Sequence, residues 1–195
     1  MKNKLICLVG MCGAGKSEVA DYLMSKRKFG FVRFGQITLD KFIKLNEKPT
    51  ETREKEIRED LRKKYGMAAF ALLNISKFDK LLKDSDVIGD GLYSWEEYLA
   101  LKEKYGENLV VIATYSPPKI RYERLKNRAK KHQSDKNLRF RSFTKDEAIA
   151  RDKAEIENLH KAGPIVIADF TILNTDTFEN LYHQIDNIYQ EIYGK

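Results

Sequence analysis

The chain has 195 residues, of which 42% are hydrophobic and 33% are charged, and its formal net charge is +7. This length suits one domain with a substantial core, and four prolines and eleven glycines argue against a disordered chain. No apolar run approaches the roughly 20 residues that a membrane-spanning helix needs. We therefore expect a cytoplasmic protein without a membrane partner.

Short apolar runs alternate with longer helical patterns along the chain. The predicted strands are Lys4–Val9, Phe31–Phe34, Asp86–Gly89, Leu109–Thr114 and Phe170–Leu173. The predicted helices are Lys16–Arg27, Glu51–Lys64, Met67–Lys83, Ser94–Lys104, Pro118–Lys131, Lys145–Lys161 and Thr177–Ile192. Apolar strands separated by helices are typical of an α/β protein with a parallel sheet covered on both faces. We expect one three-layer domain over residues 1–195, with five parallel strands flanked by helices and a small helical lid.

A glycine-rich segment, GMCGAGKS, directly follows the first predicted strand. Glycines in such a loop allow backbone conformations closed to other residues, so that successive N–H groups and the next helix N-terminus surround a phosphate. In this pattern the lysine contacts the β- and γ-phosphates and the serine hydroxyl binds Mg²⁺. The segment predicts a P-loop for ATP and Mg²⁺ formed by Gly10, Met11, Cys12, Gly13, Ala14, Gly15, Lys16 and Ser17.

Other features favour a kinase over a GTPase or a mechanical ATPase. The guanine signature N/T-K-x-D of GTPases has its nearest match at residues 76–79, inside a predicted helix. The third strand ends in Gly-Asp-Gly rather than in the Asp-Glu pair of a mechanical ATPase. Asp90 at this strand end is predicted to hold a Mg²⁺-bound water or the acceptor hydroxyl. The alternative for Asp90 is a buried capping role.

The positive charge is concentrated in residues 119–141, which contain ten Lys or Arg and two acidic residues. A cluster of this kind beside a phosphate loop predicts a basic lid over residues 119–152 that closes on phosphates, and a nucleic-acid partner is not expected. Arg124 and Arg128 share a helix face and Arg151 lies on the next helix, where arginines can stabilise a transferring phosphoryl group. The alternatives are an exposed basic helix and an RNA-directed kinase, for which only Phe140 and Phe143 supply stacking aromatics.

Residues 35–84 are predicted to form a helical insertion on the acceptor side. Its charged part, Glu47–Lys64, is interpreted as a solvated amphipathic helix with Ile57 and Leu61 facing inward, with substrate binding as the alternative. In the last helix a stripe at helical spacing predicts core packing, formed by Phe178, Leu181, Ile185, Ile188 and Ile192.

Two stretches, SPPKIRYERLKNR at residues 116–128 and ADFTILN at residues 168–174, resemble the second half of dephospho-coenzyme A kinases and the related nucleoside monophosphate kinase-like ATPases. The stretches LRKKYGMAAFA and DGLYSWEEY resemble an archaeal and bacterial branch of that group. The resemblance implies that the P-loop binds ATP phosphates and Mg²⁺, that Arg128 belongs to the lid and that Asn174 lies near adenine. It also implies a first strand placed between the third and fourth strands.

The acceptor side departs from this group. Monophosphate kinases often have Gly-Asp and then an arginine after the second strand, whereas this chain has Gln36 and Leu39 at those positions. Asp40 can substitute for the carboxylate and Arg62 for the positive charge. The predicted substrate-binding residues are therefore Asp40, Arg62 and Arg151.

The sequence as a whole predicts an ATP-dependent phosphotransferase that acts on a small nucleotide-like acceptor. Dephospho-coenzyme A is the leading acceptor and a nucleoside monophosphate is the next. The predicted catalytic residues are Lys16, Asp90, Arg124 and Arg128, and Ser17 and Asp90 are the predicted Mg²⁺ ligands. We expect a monomer or a weak homo-oligomer. The alternative function is an ATP-binding regulatory protein with little turnover that signals through a partner.

Overall fold

A computed structural model describes residues 3–48, 50–128 and 142–194 of the chain. The strands are β1 (Leu5–Val9), β2 (Gly30–Arg33), β3 (Val87–Asp90), β4 (Leu109–Tyr115) and β5 (Phe170–Leu173). The helices are α1 (Lys16–Lys26), α2 (Gln36–Leu45), α3 (Glu51–Tyr65), α4 (Ala69–Leu81), α5 (Trp95–Tyr105), α6 (Pro118–Lys126), α7 (Lys145–Glu157), α8 (Ala162–Val166) and α9 (Phe178–Tyr193), and Gly106–Asn108 form a 3₁₀ turn.

The five strands form one parallel sheet in the order β2-β3-β1-β4-β5. The central strand β1 pairs with β3 and β4, so that Leu8 lies opposite both Asp90 and Ile112. All five residues of β1 are fully buried. This order confirms the expectation that the first strand lies between the third and fourth, and it confirms the α/β class.

Side chains alternate along β1, and each set begins one of two hydrophobic layers. Leu5, Cys7 and Val9 face the layer that contains aromatic side chains of α2 and α4. Ile6 and Leu8 face the other layer, which packs on α1 and α9. The sheet is therefore covered on both faces, as expected for parallel strands that are apolar along their whole length.

The predicted strands agree with the structure to within two residues at each end. Two helices, α2 and α8, were not predicted from the sequence. Helix α2 has no side-chain cap and begins after Gly35, and α8 has only five residues. The helix predicted over Lys145–Lys161 ends at Glu157. The predicted core role of Phe178 is wrong because its side chain is 58% exposed at the start of α9, while Leu181, Ile185 and Ile188 are buried as predicted.

Residues Ile57 and Leu61 of α3 are buried, which confirms the inward face predicted for this charged helix. The predicted lid lies partly outside the described residues, since residues 129–141, including Phe140, are not described. Among the helices of the described part, none has the length and apolar character needed to cross a membrane.

Candidate functional site

The candidate site lies where the parallel strands end, because the carboxyl ends of parallel strands meet at one edge of the sheet. The segments that leave this edge carry most of the predicted site residues. They are the P-loop after β1, Gly35 after β2, Asp90 and Tyr93 at the end of β3, Ser116 after β4 and Asn174 after β5.

The P-loop has the backbone conformation that its glycines predict. Gly10, Gly13 and Gly15 have φ angles of 145°, 82° and 103°, in the region that side chains disfavour. A Cβ atom at Gly10 would collide with the carbonyl oxygen of Thr114, and one at Gly13 would lie 2.9 Å from the carbonyl oxygen of Arg121. The loop then enters α1, which has no side-chain cap at its N-terminus, and backbone N–H groups at such a helix start are available to an anion.

A polar network attaches the P-loop to the ends of β4 and β5. Asn174 is buried, and its Nδ2 donates a hydrogen bond to the carbonyl oxygen of Ala14 at 2.8 Å. Ser116 Oγ donates to the carbonyl oxygen of Asn174 at 2.5 Å. Arg124 donates to Ser116 Oγ at 2.9 Å and to Asn174 Oδ1 at 3.1 Å. Asn174 therefore supports the P-loop directly, and Arg124 supports it through Ser116 and Asn174. The predicted roles of Arg124 in catalysis and of Asn174 in adenine binding stay predictions.

A buried ion pair holds the other side of the loop. Arg121 of α6 binds Asp152 of α7 through two hydrogen bonds, of 2.8 and 2.5 Å, and both residues are buried. The same guanidinium donates to the carbonyl oxygen of Cys12 at 3.1 Å and to that of Ser116 at 3.0 Å. One arginine thus joins the P-loop, the end of β4 and the two helices, α6 and α7, at the two ends of the predicted lid.

Lys16 folds back over the loop. Its Nζ donates to the carbonyl oxygens of Gly10 and Met11, at 2.8 and 3.2 Å. Burial, together with the ammonium of Lys161, lowers the pKa of Lys16 to about 8, although Cys12, Asp90 and Glu155 oppose the shift. The ammonium therefore lies in an environment where an added phosphate would stabilise its charge.

Asp90 closes β3 beside the P-loop strand, as the sequence predicted for its position. Its side chain is buried, and Oδ2 lies 3.5 Å from Nε of Arg33, the last residue of β2. The described residues contain no group of three or more His, Cys, Asp or Glu side chains that could hold a metal ion by themselves. Mg²⁺ is commonly bound through one or two protein oxygens, waters and substrate phosphates, so Ser17 and Asp90 suit it.

Three of the predicted arginines occupy different places around this edge. Burial lowers the pKa of Arg128, and the charges of Arg151 and Arg33 lower it further, while Cys12 and Asp90 oppose the shift. Arg128 therefore shares the electrostatic environment of the P-loop and the β3 end. Arg151 binds Glu155 at 3.1 Å and lies over the ring of Phe143. Arg62 of α3 lies over the ring of Phe70, 5.1 Å from its centre.

The structure places Asp40 beside a groove next to α2. Asp40 lies on α2, accepts a hydrogen bond from Gln36 at 3.1 Å and lies 3.7 Å from Lys77. It lines an open groove of about 380 Å³ between α2 and α3 together with Lys44 and Tyr65. Its role in substrate binding stays a prediction.

The sequence of the chain is similar to a known protein family and to known proteins over most of its length. Residues 6–149 match the family described as AAA domain (AAA_18). A UPF0200 protein of Sulfurisphaera tokodaii is 31% identical over 189 residues, which are 97% of this chain and 97% of that protein. The chain belongs to the UPF0200 family and contains an AAA domain.

Solved kinases share the fold of this UPF0200 chain. A shikimate kinase from Acinetobacter baumannii in complex with shikimate has a TM-score of 0.53 at 18% identity, with 97% of this chain and 93% of that chain covered. A gluconokinase from Sinorhizobium meliloti has a TM-score of 0.52 at 11% identity, with 98% and 99% covered. At such identities the likeness shows the fold alone, which is that of P-loop kinases.

A buried ionic cluster of this UPF0200 chain, formed by α7, the residue before α8 and the segment after β3, was not predicted from the sequence. Lys161 is 1% exposed, lies 2.8 Å from Glu155 and lies over the ring of Tyr93, 4.8 Å from its centre. Burial raises the pKa of Glu155, but Lys161 and Arg151 outweigh burial and lower it to about 2. The lysine and the glutamate meet only because the chain turns between α7 and α8, and no sequence spacing reports that turn.

Arg33 and Tyr93 were also missed. Arg33 ends β2 as Asp90 ends β3, and it lay one residue before the end of the predicted strand Phe31–Phe34, so a position near a strand end was a usable signal. Burial, together with Asp90 and Glu155, raises the pKa of Tyr93 to about 12, although Arg151 and Arg58 oppose the shift. The phenol therefore lies among charges that come from α3, β3 and α7.

Proposed function

We propose that the protein is an ATP-dependent phosphotransferase that moves the γ-phosphoryl group of ATP to a small nucleotide-like acceptor. The observation that carries the proposal is the P-loop geometry at the carboxyl end of β1, with Asp90 on the neighbouring strand in electrostatic contact with both Lys16 and Arg128. The kinase-like fold and the resemblance of residues 116–128 and 168–174 support it. Dephospho-coenzyme A and a nucleoside monophosphate are the two acceptors that follow from the resemblance.

Each part of the site has a task in this proposal. Backbone N–H groups of the P-loop and Lys16 hold the β- and γ-phosphates, and Ser17 and Asp90 supply oxygens for Mg²⁺. The ion offsets phosphate charge when it is bound. Arg128 and Arg151 contribute positive charge that stabilises the negative charge on the oxygens of the transferring phosphoryl group. Phosphoryl transfer depends chiefly on such positioning and stabilisation.

The rate of ATP turnover tests this proposal, with a surface variant on the same helix as the control. Purified protein is mixed with Mg-ATP and a panel of acceptors, and ADP release and product mass are measured. We expect one acceptor to accelerate ADP release, and Lys16→Met to lower that rate by about 10²–10³-fold, the usual cost of removing one such contact. Lys26→Met is the control, because Lys26 lies on the same helix and binds Asp186 on the surface, 2.7 Å away.

If no acceptor accelerates ADP release, the kinase proposal is wrong. Tight ATP binding without turnover would instead support the regulatory alternative. Equal turnover by Lys16→Met and Lys26→Met would also contradict the proposal, because the P-loop would then not hold the reacting phosphate.

A further inference from the structure

Two arginine–aspartate pairs lie at the two ends of β3. Asp86 directly precedes the strand, and both of its oxygens are bonded, since the N–H of Lys4 donates to Oδ1 at 2.6 Å and Arg27 lies 3.0 Å from Oδ2. Asp90 ends the strand, and Nε of Arg33 lies 3.5 Å from its Oδ2. Because N–H···O hydrogen bonds are about 2.7–3.2 Å long, this second pair is an attraction between charges without a directional bond. The pair at the candidate site is therefore held less firmly than the pair at the other end of the strand.

The register of the sheet places Arg33 beside Asp90. The two residues are direct partners in the parallel pairing of β2 with β3, and the N–H of Phe34 donates to the carbonyl oxygen of Asp90 at 3.0 Å. The two backbones are therefore fixed side by side. The arginine side chain, by contrast, has several rotatable bonds and is 17% exposed. Its guanidinium can leave the carboxylate without any change in the sheet.

The carboxylate of Asp90 also belongs to the phosphate end of the site. It is in electrostatic contact with Lys16 of the P-loop and with Arg128. In the proposed function this carboxylate supplies an oxygen for Mg²⁺, which binds carboxylate and phosphate oxygens. A carboxylate whose charge is offset by a guanidinium attracts a metal ion less, because both cations are drawn to the same two oxygens. The pairing with Arg33 therefore opposes metal binding at Asp90.

We infer that Arg33 competes with Mg²⁺ for the carboxylate of Asp90 and thereby sets the concentration of Mg²⁺ that the site needs. The inference rests on the proposed function, in which Asp90 supplies an oxygen for the ion. Arg33 acts through Asp90 and is a positioning residue. Its guanidinium offsets the charge of the carboxylate before the metal arrives and moves away from it afterwards. The exchange changes electrostatic contacts alone, and no proton is transferred.

The first experiment measures metal affinity without turnover. The protein, in excess over a non-hydrolysable ATP analogue, is titrated with Mn²⁺, which binds the same kinds of oxygen ligand as Mg²⁺, and free Mn²⁺ is measured by electron paramagnetic resonance. We expect Arg33→Gln to bind Mn²⁺ about three- to ten-fold more tightly, the size of a partly solvated ion pair. Equal or weaker binding of Mn²⁺ by Arg33→Gln would overturn the inference.

A double-variant comparison separates competition at Asp90 from a general effect of charge. Asp90→Asn removes the shared charge, so by itself it should weaken the binding of Mn²⁺. In the Asp90→Asn background, Arg33→Gln should then give little further gain, because no carboxylate is left for the arginine to occupy. An equal gain from Arg33→Gln in the wild-type and Asp90→Asn backgrounds would show simple repulsion between cations and would contradict competition.

Arg27→Gln is the matched control at the opposite end of β3. It makes the same change of charge and breaks the pair with Asp86, which precedes the strand, so it should leave the affinity for Mn²⁺ unchanged. An equal gain in Arg27→Gln and Arg33→Gln would contradict a specific role of Arg33. A wild-type protein that binds no ATP analogue would contradict the proposed function itself, whereas analogue binding with unchanged Mn²⁺ affinity in Arg33→Gln would contradict this inference alone.

The second experiment uses the wild-type protein and therefore does not depend on the folding of Arg33→Gln. The Nε–H signal of Arg33 is followed by ¹⁵N NMR in the complex with the ATP analogue and is assigned by its loss in Arg33→Lys. We expect the signal to shift when Mg²⁺ is added, because the guanidinium loses its carboxylate partner, and the Nε–H signal of Arg27 to stay in place. An unchanged Arg33 signal at saturating Mg²⁺ would overturn the inference.

Discussion

Among single residues, Lys16 shows how strongly surroundings change a side chain that a motif identifies. Its identity and place in the P-loop were predictable from the spacing of glycines, lysine and serine. Its pKa of about 8 was not, because that value arises from burial and from Lys161, which is 145 positions away in the chain. The motif therefore names the phosphate ligand, and the fold decides at which pH it carries charge.

This environment predicts a pH-dependent affinity for ATP. The charged ammonium binds phosphate, so affinity should be constant below pH 8 and should fall above it by up to about ten-fold per pH unit. Calorimetric titration between pH 7 and pH 10 measures this effect. Lys16→Met should bind weakly without that dependence. Equal slopes for the two proteins would show that another group controls the affinity.

Among secondary-structure elements, the contact between α6 and α7 determines how the loop is supported. The sequence predicted both helices and placed arginines on α6, and it assigned those arginines to a lid. The structure uses Arg121 differently, because its guanidinium lies against Asp152 and the carbonyl oxygen of Cys12. Which arginine faces phosphate and which supports the loop depends on helix packing that residue type does not encode.

Asp152→Ala should lower the free energy of unfolding by about 3–5 kcal/mol, because it leaves a buried guanidinium without its carboxylate. Chemical denaturation measures the loss, and the KM for ATP should rise as the Cys12 segment loses its support. Lys153→Ala is the control on the same helix, since its exposed pair with Glu157 spans 3.9 Å, and it should change stability by less than about 1 kcal/mol. Similar losses in both variants would refute this role of Asp152.

At the scale of the whole molecule, a titratable carboxyl group inside the core couples folding to pH. Glu97 is fully buried, accepts a hydrogen bond from the N–H of Tyr93 at 2.9 Å and has one oxygen without a partner in the described residues. Burial raises its pKa to about 7, although those hydrogen bonds, Arg62 and Lys161 act in the opposite direction. The folded state therefore holds a proton that the unfolded chain releases near pH 4.5.

From this difference, wild-type stability should fall relative to Glu97→Gln as the pH rises from about 4.5 to 7. The unfolded state binds fewer protons in that range, so rising pH favours it, by up to about 3 kcal/mol in total. Above pH 7 the difference should stay constant. Urea denaturation of both proteins across this range is the measurement. Parallel stability curves would show that Glu97 is already ionised in the folded protein.

The sequence by itself determined the α/β class, the five strands and the P-loop, because these depend on local signals. Apolar runs, helical spacing and glycine conformations act over a few residues. Only the tertiary structure decided which charges meet at the strand ends. Arg33, Arg62, Glu155 and Lys161 come from separate parts of the chain, and packing among those parts sets their partners. Long-range packing therefore decided the acceptor side, for which local sequence holds no equivalent signal.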